Sequence, residues 1–85
     1  MIKSTFNKWG DTWTLLERFA TRALYHRKGA NGERWELVGI GTHKKDRTWP
    51  NGAVTKAGTE YLRLSDRDYG NVTWTFLSRP RTDTL

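Results

Sequence analysis

The chain has 85 residues, no cysteine and a formal net charge of +6. That length makes one domain burying only about 60–65% of its unfolded surface, and the lack of cysteine excludes disulfides, thiolate metal sites and cysteine nucleophiles. Hydrophobic residues are 35% of the chain, but five Trp, three Tyr and three Phe argue against disorder and for a core of few, bulky side chains.

The charge is uneven. Residues 1–45 carry nine Lys or Arg against four Asp or Glu, and residues 46–85 carry six against five. A positive field attracts nucleic acid first and acidic protein faces second, although the same charge also serves solubility. No run approaches the ~18 apolar residues of a membrane span. Met1–Phe6 lacks the apolar segment of a signal peptide. A cytoplasmic location with no membrane partner is therefore expected.

Ile2–Trp9 has apolar residues at positions 2, 6 and 9 only, which fits a short edge strand ended by Gly10-Asp11. Thr14–Arg27 shows helical spacing. Leu15, Leu16, Phe19, Ala20, Ala23 and Leu24 fall on one face of an amphipathic helix. Thr14 and Glu17 have capping-box spacing, and Gly29 stands at a plausible stop. A competing reading makes Ala23–Lys28 a strand leading into a hairpin loop at Lys28–Glu33; the helix is the preferred one.

Glu33–Gly41 reads as a strand with Trp35, Leu37 and Gly39 on one face and Arg34, Glu36, Val38 and Ile40 on the other. Gly39 and Gly41 suggest a bulge or the close approach of another backbone. Thr59–Arg79 reads as a hairpin of Thr59–Ser65 and Val72–Leu77 around a turn-rich loop, with Val72, Trp74 and Phe76 inward and Thr73 and Thr75 outward. Pro80 ends it.

The expected fold is thus α+β, one amphipathic helix on a small antiparallel sheet of three to four strands, in the order β-α-β-β-β. Leu15, Leu16, Phe19, Ala23 and Leu24 would pack on Trp35, Leu37, Leu62, Leu64, Trp74 and Phe76. Residues 1–79 form the single domain and 80–85 a frayed tail.

Catalysis has little support. His26 and His43 lie in no metal-ligand spacing, and His26 is better explained by the dipole at a helix end. Ser4, Ser65 and Ser78 lie outside any nucleophile elbow. Asp66 and Asp68 fit caps of a turn. No enzyme activity, cofactor or metal is expected.

The loop Thr42–Gly52 carries the clearest signal: Lys44, Lys45 and Arg47 beside Trp49, followed by the turn pairs Trp49-Pro50 and Asn51-Gly52. Cations neutralise phosphates, and an aromatic stacks on an unpaired base for about 1–3 kcal/mol. Arg18, Arg22 and Arg34 would add supporting charge. The alternative for the loop is that Trp49 folds onto the core and the cations are merely solvated.

The expected function is therefore a non-enzymatic basic module that binds nucleic acid without strong sequence preference. A second possibility is a modulator, of the phage- or plasmid-accessory type in size and composition, that docks on an acidic face of a larger enzyme. Trp and Arg serve interface hot spots equally well. A homodimer through the Val72–Leu77 edge is a third option. No motif ties the chain to a named family.

Overall fold

Trp13 and Leu15 alternate with Thr12 and Thr14, and this period of two decides the conformation of the segment read above as a helix. The computed structural model describes residues 2–81 and is all-β, with no helix among them. The strands are β1 (Thr5–Lys8), β2 (Asp11–Arg18), β3 (Arg22–Gly29), β4 (Gly32–Thr42), β5 (Arg47–Thr48), β6 (Val54–Thr55), β7 (Glu60–Arg63) and β8 (Trp74–Phe76). A curled antiparallel sheet, a half-barrel, has the order β1-β2-β3-β4-β7, with β8 also on β4; β5 and β6 form a separate small sheet.

The expected α+β fold and its amphipathic helix are therefore wrong. Thr14–Arg27 is the end of β2, a turn at Phe19–Thr21 and most of β3. Two features imitate the helical spacing. A bulge at Leu16 breaks the β2–β3 register between Leu15 and Glu17, which sets two apolar residues side by side. In β3 both faces are covered, so Ala23 on the concave side and Leu24 on the convex side are both buried. Buried neighbours four residues apart then look like one helix face.

The core lies on the concave face. Trp13, Ala23, Tyr25 and Val38 are buried there, with Ile2, Phe6, Leu15, Ile40, Leu62 and Leu64 packed around them. The Phe6 and Trp13 rings stack at 5.2 Å, and Tyr25 meets Phe6 edge-on at 5.2 Å. Trp13 Nε1 donates to the Lys8 carbonyl at 3.2 Å, and the Tyr25 hydroxyl donates to the Lys3 carbonyl at 2.5 Å. The β4 faces divide as the alternation requires, but Val38 and Ile40, not Trp35 and Leu37, line the main core.

The expected Thr59–Arg79 hairpin is also corrected. β7 and β8 do not pair with each other. Both run antiparallel along one edge of β4, β7 on Gly39–Thr42 and β8 on Trp35–Leu37, as one strand interrupted by the excursion 64–73. Asp68 closes the excursion: its carboxylate accepts from Ser65 N–H at 3.1 Å, Ser65 Oγ at 2.6 Å and Arg63 Nε at 3.1 Å. At the break the Thr73 hydroxyl accepts from Gly39 N–H at 3.0 Å and donates to the Arg63 carbonyl at 2.6 Å. It replaces the direct ladder bond, so Thr73 is buried and Trp74 is turned out, 43% exposed. Thr73, expected outward, is thus buried and Trp74, expected inward, is exposed, while Val72 and Phe76 are half-buried and Thr75 exposed, as the alternation predicts. Gly39 and Gly41 mark close approach, of side chains: a Cβ would lie 2.9 Å from Val72 Cβ at Gly39 and 2.5 Å from the Tyr61 ring at Gly41. Of the expected tail, residues 82–85 lie outside the described residues. No helix among the described residues is long and apolar enough to cross a membrane.

Two tryptophans separate this arrangement from the sequence expectation. Trp13→Ala is expected to cost about 3–5 kcal/mol in denaturant unfolding, as loss of a fully buried aromatic does. Trp74→Ala is expected to cost less than about 1.5 kcal/mol. Equal losses would contradict the observed register.

Candidate functional site

The β4–β7 connection, residues 43–59, is long for a joint between neighbouring antiparallel strands, and it builds its own scaffold. Arg47 and Thr48 pair with Thr55 and Val54. Trp49 N–H donates to the Ala53 carbonyl at 2.8 Å, and Gly52, at φ +86°, donates its N–H to the Trp49 carbonyl at 2.9 Å. The turn signals Trp49-Pro50 and Asn51-Gly52 thus form the tip of a small hairpin. Asp46 fixes its base by accepting from Ala57 N–H at 2.8 Å.

On this hairpin Trp49 stays away from the core. It is 38% exposed. Its Nε1 donates to Thr55 Oγ1 at 2.9 Å, and the Arg47 guanidinium lies over its ring at 4.1 Å. Lys44 and Lys45 are exposed, and no carboxylate of the described residues pairs with either. The loop holds Lys44, Lys45, Arg47 and Lys56 against the single carboxylate Asp46, which sits 3.9 Å from Lys56 Nζ.

The supporting arginines are divided. Arg18 and Arg22 flank the β2–β3 turn at the same end of the half-barrel as the loop, because β4 runs from the opposite end into it. Arg18 is committed to a two-pronged pair with the Glu60 carboxylate, at 2.7 Å for Nη1 to Oε1. The two groups hold each other charged: the hydrogen bond raises the Arg18 pKa and lowers that of Glu60. Arg22 lies on the convex face opposite Gly39. Arg34 sits at the far end of β4, opposite Arg27, and does not join the loop.

That far end carries a second cation–aromatic surface that the sequence reading missed. Trp9-Gly10 is the two-residue turn between β1 and β2, with φ +54° and +77°. Positive φ at both positions suits a hairpin turn, yet Trp is unusual there. Trp9 is 53% exposed. Lys8 Nζ lies 5.0 Å and the Arg27 guanidinium 5.4 Å from its ring. Arg27 in turn donates to Asp11 Oδ2 at 2.5 Å and to Glu36 Oε1 at 3.1 Å, and Glu36, fully buried, also accepts from Thr75 Oγ1 at 2.7 Å. Burial opposes the Arg27 charge, but the bonds from Asp11 and Glu36 outweigh it and hold the guanidinium protonated more firmly than usual. The legible signal is Trp9-Gly10 between two alternating runs, where the spacing alone predicts only a strand that ends at Gly10-Asp11.

His26 lies 2.7 Å from Glu33 Oε2 and against the Trp35 ring, mid-strand rather than at a helix end. His43 lies tilted on Tyr61 at 4.8 Å. No group of three or more His, Cys, Asp or Glu suited to a metal occurs among the described residues. Comparison with protein-family models, curated proteins and solved structures finds no match.

Two expectations follow. Arg27→Ala strands the buried Glu36 carboxylate and is expected to cost about 3–5 kcal/mol in denaturant unfolding, whereas Arg47→Ala on the solvated loop is expected to cost about 1 kcal/mol or less.

The second concerns pH. The Tyr69 hydroxyl is buried, and no group of the described residues meets it in hydrogen-bond geometry. Burial, then the charge of Glu36, pushes its pKa from 10.0 up to about 12. This stabilises the fold below the unfolded value and is lost as pH rises through about 12. Asp68 has the opposite sign: bonds from Ser65 lower its pKa below 3.8, so its contribution is present above that value and lost as pH falls through the lowered one. Melting temperature should fall at both extremes, and Tyr69→Phe should remove part of the alkaline fall while leaving the acid limb intact.

Proposed function

We propose that this chain is a non-enzymatic cytoplasmic protein that binds single-stranded nucleic acid, without strong sequence preference, through the Lys44–Trp49 hairpin. The observation that supports it is the state of Trp49. A large aromatic that could have been buried is held at the surface by a stacked guanidinium and an indole hydrogen bond, beside two unpaired lysines. An indole in that position offers a face to an unstacked base, and the cations meet the flanking phosphates. The footprint is small. With Arg18 engaged by Glu60, the phosphate contacts fall to Lys44, Lys45 and Arg47, with Arg22 at the same end.

Anisotropy titrations of labelled oligo(dT) and oligo(U) against salt test the reading. A slope of about 0.7 per contacted phosphate gives about 2 for three cations. Lys44→Ala with Lys45→Ala is expected to lower the slope by about 1 to 1.5 and to weaken all sequences alike. Trp49→Ala is expected to weaken binding at least about fivefold with the slope unchanged. An absence of binding at low salt and micromolar protein would overturn the proposal and leave the hairpin as a protein-contact surface.

A further inference from the structure

A half-barrel leaves two strand edges unpaired, and here they face the same groove. The groove has a volume of about 330 Å³ and is lined from one side by residues 2–8 and from the other by residues 60–64. Its floor is apolar: Ile2, Phe6, Leu62 and Leu64, all resting on the concave core.

Backbone polarity follows from the ladder. Leu15 N–H donates to the Ser4 carbonyl at 2.7 Å. Antiparallel pairs alternate between bonded and unbonded, so residues 4, 6 and 8 turn their N–H and C=O toward β2, and Thr5 and Asn7 turn theirs outward. His43 N–H donates to the Thr59 carbonyl at 3.0 Å. By the same rule residues 59, 61 and 63 face β4, while Glu60 and Leu62 present free donors and acceptors to the groove. Rows of unpaired N–H and C=O groups are what an added strand recognises.

The rim selects charge. Lys3 and Lys8 line the groove, and no carboxylate of the described residues pairs with them. The groove carboxylate, Glu60, is already neutralised by Arg18. We infer that the seam between β1 and β7 is a docking site for an extended, acidic segment of a partner protein, which adds as a strand with apolar side chains on the floor and carboxylates toward Lys3 and Lys8. A second copy fits poorly, since a chain of net charge +6 would bring like charges together. Nucleic acid fits less well: Lys3, Lys8 and the outward N–H groups would meet phosphates, but the outward carbonyls oppose them and the apolar floor of Ile2, Phe6, Leu62 and Leu64 suits apolar side chains rather than sugars. This inference is independent of the hairpin reading, which uses other residues at one end of the barrel.

The probe is a labelled acidic–apolar peptide, Glu-Val-Glu-Val-Glu-Val-Glu, titrated into the full chain at low salt. The expected result is saturable binding with amide shifts concentrated at Thr5, Asn7, Glu60 and Leu62. N-methylating the valine amides removes backbone donors from the peptide alone and is expected to weaken binding about tenfold or more with the protein untouched. Replacing the Glu residues of the peptide with Lys should abolish binding, and Lys3→Glu with Lys8→Glu should reverse the preference. Equal affinity for the N-methylated peptide, equal affinity for the Lys peptide, shifts confined to residues 43–58, displacement by oligo(dT), or no binding at millimolar peptide would each overturn the inference. Lys44→Ala with Lys45→Ala leaves peptide binding unchanged if the two surfaces are separate.

Discussion

The fold depends on three packed aromatic rings and on where the polar atoms of two of them, Trp13 and Tyr25, find partners. Phe6, Trp13 and Tyr25 pack together on the concave face, and aromatic pairs of this kind add about 0.5–1.5 kcal/mol each beyond the area they bury. Burying an indole N–H or a phenol without a partner would cost about 1–3 kcal/mol. Both partners come from the N-terminal segment: Trp13 uses the Lys8 carbonyl and Tyr25 the Lys3 carbonyl. Satisfying these groups fixes residues 3–8 over the core, and the sheet curls to allow it.

Curling without closing leaves the seam. The strand that could have continued along β4 is interrupted by the excursion 64–73, and a threonine hydroxyl stands in for the missing ladder bond. A barrel would have no edges; this half-barrel keeps two, separated by an apolar groove with lysines at the rim. The proposed added strand rests on this open geometry rather than on any single side chain.

Charge is distributed by the same architecture. Arg18 reaches from β2 to Glu60 on β7, and Arg27 is held between Asp11 and the buried Glu36. These cations are committed to structure. Lys44 and Lys45 of the β4–β7 connection pair with no carboxylate among the described residues, which leaves positive charge available beside an exposed indole. Formal charge counted along the chain cannot make this distinction, because it weighs a buried ion pair and a solvated lysine alike.

The sequence by itself determined the aromatic basis of the core, the division of β4 into two faces and the turn signals of the loop that carries Lys44, Lys45, Arg47 and Trp49. Each of these follows from local alternation, turn chemistry or composition. It misassigned Thr14–Arg27, because apolar neighbours four residues apart arise equally from a helix face and from strands covered on both sides with a bulge between. It reversed Thr73 and Trp74, because strand period does not show where a strand is interrupted and a hydroxyl is drawn into the break. Only the tertiary structure decided that β7 and β8 share an edge of β4, that Trp9 is held exposed between Lys8 and Arg27, that Arg18 is engaged by Glu60 across 42 residues of sequence, and that β1 and β7 face each other over an open groove. Most of these contacts join residues remote in the chain, such as Trp9 with Arg27, Arg18 with Glu60 and the β1 and β7 sides of the groove, and no local pattern records them.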